Sequence, residues 1–389
     1  MSKVEQLHNQ AMDLAEDAFI AKRKGDEKEA VRLFSEALEF EKEAASFFPP
    51  NEESEPTRSI LYRSSASIAY NAGDYETADR LIAFALSGYP PVEIKNELKN
   101  LYEDINFMRH LSAKGLSLDM NQFMMTIAGD AIRYGGAFAE NLMERVEVII
   151  KLFYRTLERL LKFDYRISGG VSKEIKDKYG LYIQAFVHSS FAVSFQVGYP
   201  DPQLALFQMQ NNNKALESLP LEPSSVIDEM MRCFEIFEND DNIDNLKNRF
   251  EDDYYFENFL ALTKQLAPDG EDVKLVGFTS IKNGEEKPVA LRKSRKQLRE
   301  LSNIHINDDS DDAIIPVSYT GTLKFASSTS KRKFGKVKLI DSKGITHDIN
   351  VPISLMKDVV QPYYEEYLTI HGYKKNGKIY LDEITKEEQ

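Results

Sequence analysis

The sequence predicts a multidomain α+β protein, with N-terminal helical hairpins, an α+β middle region and a small C-terminal β-barrel. Three observations predict it. Apolar residues recur at helical spacing from Val4 to His110, and part of that pattern is repeated. Helical stripes and strand-like alternation then follow one another from Gly115 to about Asp312. Beyond the acidic stretch Asn307–Asp312, five strand signals run to the end, with a short helical one between the third and fourth. The expected domains are 1–114, 115–312 and 313–389.

In the first region, turn signals at Gly25-Asp26, Pro49-Pro50, Gly73-Asp74 and Pro90-Pro91 separate successive helices. At a shift of 48 residues, Gly25-Asp26, Ala30, Leu33, Ala37 and Leu38 recur as Gly73-Asp74, Ala78, Leu81, Ala85 and Leu86. Glycine lets the chain leave one helix, aspartate caps the next, and alanines seven apart let two helices approach closely. The pattern resembles the tetratricopeptide repeat, and the second copy, continuing to Pro90, matches better than the first. The acidic, proline-rich loop Phe47–Pro56 stretches the period beyond the usual 34 or so residues. Because a self-sufficient array needs about three repeats, Val92–Met108 is expected to act as a cap. The resemblance implies a scaffold that grips a protein partner on a concave face lined by first helices, which makes Arg58, Tyr62 and Arg63 its candidate contacts. Ordinary solvated helix surface shows such residues too.

In the middle region, Gln122–Ile132 has mixed character compatible with a strand. Leu142, Val146, Ile149, Ile150, Phe153, Leu157, Leu160 and Leu161 form one helical stripe, with Glu144, Lys151, Arg155 and Glu158 away from it, so a central core helix is expected. Phe191, Val193, Phe195 and Val197 alternate as in a strand with one buried face. The polar stretch Tyr199–Pro223 reads as a long loop, and Ser225–Glu238 and Tyr254–Leu266 as amphipathic helices. Cys233, among Met230, Met231, Phe234 and Phe237, reads as a small apolar residue of the core.

Composition limits the chemistry. Against 49 basic residues stand 63 acidic ones, a net charge of −14, so phosphate backbones are repelled except where basic residues gather locally. One cysteine excludes an internal disulfide and a cysteine-based zinc cage, and fits a reducing compartment. Met1–Gln10 lacks an apolar signal stretch and no run of about 18 uncharged apolar residues occurs, so a cytoplasmic protein is expected, without membrane contact. The six histidines are scattered without ligand spacing. No cofactor or metal is expected.

One arrangement invites a catalytic reading. Asp272-x-Lys274, entering the apolar run Val273, Leu275, Val276 and Phe278, is similar to half of the PD-(D/E)xK nuclease motif, whose carboxylates hold Mg²⁺ while lysine polarises water. That family places its first aspartate well upstream, whereas Asp269 lies only three residues before Asp272, and Pro-Asp-Gly is first a turn signal.

Two basic clusters stand out. Arg292, Lys293, Arg295, Lys296 and Arg299 crowd together after the strand Lys287–Leu291. On a helix, Arg292, Arg295, Lys296 and Arg299 would share a face toward phosphates or an acidic partner. Neutralisation of the chain's own Asp308–Asp312 run explains them equally well. The second cluster belongs to the terminal module, where residues 313–389 hold 12 basic and nine acidic residues, a net charge of +3 against −17 for the rest. Its strands are expected at Val317–Phe325, Phe334–Ile340, Ile345–Val351, Glu366–Gly372 and Lys378–Ile384, with a helix at Ser354–Tyr363. That order fits an OB-like barrel, or an SH3-like barrel of similar length. Lys331, Arg332 and Lys333, with Phe334, His347, Lys336 and Lys338, are the ingredients of a single-strand-binding groove. Lysines alternating on a strand also keep an exposed sheet face soluble.

Glu55-Pro56-Thr57-Arg58-Ser59, Phe153-Tyr154-Arg155, Ser190-Phe191-Ala192-Val193 and Ala267–Asp272 are similar to segments of a family of uncharacterised bacterial proteins joining repeat helices, an α+β region and a small barrel. That resemblance implies architecture and no activity. The function expected is a non-catalytic interaction scaffold, with a protein partner on the helices and a barrel that either binds nucleic acid or seals an assembly. The rival is a metal-dependent nuclease, or an effector of a defence or toxin system, centred on Asp272 and Lys274.

Overall fold

Two aspartates repeat the same local geometry, and the N-terminal unit is built on them. Asp26 opens α2 (Glu27–Ser46) by accepting from the Glu29 N–H at 3.1 Å, and Asp74 opens α4 (Tyr75–Leu86) by accepting from the Thr77 N–H at 3.0 Å. Their backbone angles agree within a few degrees, φ −88° and ψ 74° against φ −86° and ψ 73°. Before α4, Gly73 takes φ +80°, a conformation in which a side chain is strained. The other helices are α1 (Lys3–Arg23), started by a Ser2–Glu5 capping box, α3 (Thr57–Asn71) and α5 (Val92–Met108). Consecutive helices pack together from α1 to α4, and α5 lies against α3 and α4. Ala30, Ala37, Ala78 and Ala85 are buried where these helices meet, while Leu86 is 37% exposed against 5% for its counterpart Leu38.

This computed structural model describes residues 2–24, 26–108, 118–129, 139–187, 191–198, 221–239, 244–270, 273–298, 315–327 and 333–386. Gly25, most of the Tyr199–Pro223 loop, Asp272, Arg299, the Asp308–Asp312 run, Lys331 and Arg332 lie outside the described residues. The chain divides into two compact units, Met1–Ser117 and Leu118–Gln389.

The second unit begins with an antiparallel sheet. Its strands, β1 (Gln122–Ala128), β2 (Leu181–Val187), β3 (Phe191–Val197), β4 (Leu275–Lys282) and β5 (Glu285–Leu291), lie in the order β2-β3-β1-β4-β5. The strand covers Gln122–Ala128 of the Gln122–Ile132 stretch. Asn283 and Gly284 close the β4–β5 hairpin, both with positive φ, as a two-residue turn of this twist requires. The helices are α6 (Ala139–Leu160), α7 (Lys173–Tyr179), α8 (Pro223–Asn239), α9 (Asp244–Lys247) and α10 (Asp253–Leu266). Of these, α8 packs on α6 and on β1, β4 and β5, and α10 packs on α6. Phe234 stacks on Phe278 with ring centres 4.8 Å apart, and Phe123 on Phe195 at 4.9 Å. Ser194 and Gln196 are buried as well as their apolar neighbours, so β3 is covered on both faces and not on one.

The remaining strands are β6 (Ile315–Ser327), β7 (Phe334–Asp341), β8 (Thr346–Pro352), β9 (Tyr367–Lys375) and β10 (Lys378–Lys386). Their ladder runs β10-β8-β7-β6-β9 and closes, because β9 also pairs with β10; β8 and β10 run parallel and every other pair is antiparallel. At Gly372 a side chain would collide with the Tyr380 carbonyl, so glycine permits the two strands to close.

A separate terminal domain is expected from the sequence, yet residues 118–389 form one unit with a continuous apolar core. The link is a buried charged network. Arg155 of α6 donates from Nε to Asp358 Oδ2 at 2.6 Å, from Nη1 to Glu158 at 3.1 Å and from Nη2 to the Arg166 carbonyl at 2.9 Å. Asp358 belongs to the helical stretch 353–363 between β8 and β9, and also accepts from Asn258 of α10. Tyr165 donates to the Ser354 carbonyl at 2.6 Å, and Lys264 of α10 holds Asp382 of β10 at 2.9 Å. Arg155 and Glu158, the polar side of α6 by sequence, are each 3% exposed. Removing Arg155 would leave two buried carboxylates short of a partner, a loss of about 3–5 kcal/mol.

Candidate functional site

Along β7, burial alternates strictly: Gly335, Val337 and Leu339 are buried, while Phe334, Lys336, Lys338 and Ile340 point outward. Register extends that outward face across neighbouring strands. Phe325 of β6 stands opposite Lys338, displaced by a bulge at Lys324, and the Lys338 ammonium lies 5.8 Å from its ring centre. Phe334 meets Tyr380 of β10 edge-on at 5.4 Å, and Tyr380 stacks on Tyr373 of β9 at 5.4 Å with 16° between the rings. Phe325 is 43% and Phe334 42% exposed, so both rings reach solvent. Lys336 is exposed and in no ion pair among the described residues; Lys338 has only a 3.8 Å approach to Asp348. The β9–β10 turn, Asn376-Gly377, is flanked by Lys374, Lys375 and Lys378.

His347 does not join this face. It pairs in register with buried Leu339, bonds Asp341 at 3.1 Å and stacks on Tyr319 at 4.1 Å. Phe325, Tyr373 and Tyr380 are missing from the sequence-based set, since only the bulge brings Phe325 opposite Lys338 and only the β10 pairings bring Tyr380 and Tyr373 beside Phe334.

At the Phe334 end the face meets a cavity of about 380 Å³ lined by Glu251, Asp252, Asp253, Tyr254, Glu257, Lys333, Phe334 and Pro352. Asp252 caps α10 through the Tyr254 N–H at 2.8 Å. Burial raises the Glu257 carboxyl above its usual range, the Ser354 hydroxyl bond at 2.5 Å opposes that, and Asp253 and Asp252 add to it.

The other expected contacts are used internally or differently. Residues 295–298 are helical, but Arg292 precedes them, so the single basic face expected over Arg292–Arg299 does not form among the described residues. Arg295 turns inward and donates to the Gln265 carbonyl at 2.6 Å. Lys293 donates toward the Phe237 carbonyl, and its backbone N–H meets Glu238. Arg292 and Lys296 remain exposed. In the helical unit, Arg58 is corrected outright: 3% exposed, it donates to the carbonyls of Phe84 at 2.7 Å and Ala85 at 3.4 Å, over the Tyr62 ring. Its guanidinium fastens α3 to the end of α4. Arg63 pairs with Glu97 of α5 at 2.9 Å, and Tyr62 is half-buried beside Phe84.

Asp269 accepts from the Val273 N–H at 2.8 Å and lies 3.5 Å from the buried guanidinium of Arg145, in a turn whose Gly270 has φ +90°. Lys274 follows this turn and its N–H donates to the Ala128 carbonyl. Among the described residues no group of three histidine, cysteine or acidic side chains has metal-holding geometry. Cys233 is fully buried against Glu229, and burial pushes its thiol up to about 12, far from a nucleophile's range. No described helix is long and apolar enough to cross a membrane. Comparison with protein-family models, curated proteins and solved structures gives no match, so function is read from this geometry.

Proposed function

We propose that this chain is a non-catalytic binding protein whose barrel holds single-stranded nucleic acid and whose helical unit takes a protein partner. One observation carries the barrel reading: exposed Phe325 and Phe334 share an outward face with Lys336 and Lys338, and the half-buried Tyr380 and Tyr373 adjoin Phe334. Bases stack on such rings whatever their identity, and lysines between them meet the phosphates. The strand connectivity supports it. Three strands, a helical stretch and two strands, closed through a parallel pair of the third and fifth, is OB-like, and OB folds bind on the second and third strands beside the first and last hairpin loops. Here those loops contribute Lys331, Arg332 and Lys333 on one side and Lys374, Lys375 and Lys378 on the other. The doubled aspartate caps support a tetratricopeptide-like helical unit. Its exposed Phe84, Tyr89 and Val92 offer a protein partner apolar contact.

Fluorescence anisotropy with a labelled single-stranded oligonucleotide tests the barrel reading. Binding is expected to weaken with salt, and changing Lys331, Arg332 and Lys333 together to glutamate should lower affinity and flatten that dependence by about one unit of slope per lost contact. Unchanged affinity refutes it. The nuclease alternative is tested in the same tubes with Mg²⁺ or Mn²⁺: cleavage that disappears in Asp272→Ala would replace the binding reading.

A further inference from the structure

The nucleic-acid face ends abruptly in opposite charge. Phe334 and Lys333 belong both to that face and to the notch, whose other charged lining residues are Glu251, Asp252, Asp253 and Glu257. Four carboxylates against one lysine repel a phosphate; Glu251 and Asp253 are exposed, and only at the partly buried Asp252 and Glu257 is that repulsion screened less than on open surface. The uncharged part of the lining is different in kind. Tyr254, Phe334 and Pro352 are flat or apolar, and their cavity of about 380 Å³ is of small-molecule size. A base is welcome there; a backbone is not.

We infer that the barrel binds the end of an unpaired strand, with its terminal base in the notch and the preceding phosphates along Lys336 and Lys338. This rests on the reading of the face as a nucleic-acid site. A strand running on past Phe334 must carry its next phosphates across the carboxylates, whereas a strand that stops there need not. The acidic residues thereby act as a stop, and the ligand class narrows from single strands in general to strands with a free end. Duplex is disfavoured as well, because its bases are unavailable to the rings and its second backbone would meet the same wall.

The experiment compares one labelled oligonucleotide in linear form with the same sequence ligated into a single-stranded ring. For the unaltered full chain the linear form should bind about tenfold tighter, the scale of a modest charge repulsion. In the triple variant Asp252→Asn, Asp253→Asn, Glu257→Gln, ring binding should rise to match. Asparagine still caps α10 and glutamine still accepts from Ser354, and an unchanged melting temperature confirms the fold. Equal binding of ring and line by the unaltered chain overturns the inference and leaves the face reading standing. A linear preference that survives in the triple variant also overturns it, since the carboxylates are then not its cause. If neither form binds, the reading beneath it fails too.

Discussion

Two basic clusters of the same unit, alike in the sequence, meet opposite fates in the fold. Around Arg292–Lys296 the chain leaves β5 and enters a short helical turn, and its cations serve the protein: Arg295 on the Gln265 carbonyl, Lys293 on the Phe237 carbonyl and Glu238. Along β7 the lysines stay at the surface: Lys336 is in no ion pair among the described residues, and Lys338 only approaches Asp348 at 3.8 Å and the Phe325 ring at 5.8 Å. A strand puts every second side chain on one face, and that of β7 is the outside of a closed barrel, so Lys336 and Lys338 are displayed together with Phe334. Positive charge in a sequence is therefore no measure of charge offered to a partner. What decides is whether buried carbonyls and carboxylates lie within reach.

The sharpest test of this contrast is charge reversal on the displayed cluster. Lys336→Glu with Lys338→Glu should cost on the order of a hundredfold in oligonucleotide affinity and reduce the salt slope by about two, read by anisotropy across a salt series. Phe334→Ala should come next, weakening binding by about 1–3 kcal/mol while leaving the salt slope intact, which separates stacking from charge. For the internal cluster the prediction changes observable: Arg295→Met should lower stability by about 1.5–3 kcal/mol in urea unfolding and leave binding unaffected.

A smaller effect follows from acidity. Glu257 keeps its proton to a higher pH than an ordinary carboxyl, facing Asp252, Asp253, Lys247 and the Ser354 hydroxyl, with Lys333 across the cavity. As pH falls through that raised value the notch loses a negative charge, so affinity for a polyanion should rise about two- to threefold, and this increment should be missing in Glu257→Gln. The least effect is expected from Lys296→Glu, within about 0.5 kcal/mol in stability and with no change in binding. A large loss there would erase the distinction between the clusters.

Much of the fold is legible in the sequence because its signals are local. Asp26 and Asp74 cap helices wherever such helices begin, and the 2-residue period of β7 announces both its strand and its outward lysines. The candidate face is legible only in part. Lys331–Phe334, Lys336 and Lys338 lie on one stretch of chain, but Tyr373 and Tyr380 arrive from strands whose neighbours are set by the parallel β8–β10 pairing, and Phe325 by a bulge. Arg58, Arg155 and Glu158 mislead for the same reason in reverse. Each looks solvated by its position on a helix, yet each is buried: Arg58 and Arg155 by partners distant in sequence, Glu158 by Arg155 on its own helix and by Arg166 after the chain turns back, bonds that make burial tolerable.

The network of Arg155 with Glu158 and Asp358 carries a consequence for how ligands are sensed. A barrel riveted to its neighbour through ions that neither side can solvate alone should melt together with it, in a single cooperative step. If an oligonucleotide occupies the Phe334 end, as proposed, it would then be felt as resistance to unfolding in the sheet β2-β3-β1-β4-β5, where amide exchange should slow without any contact to that ligand.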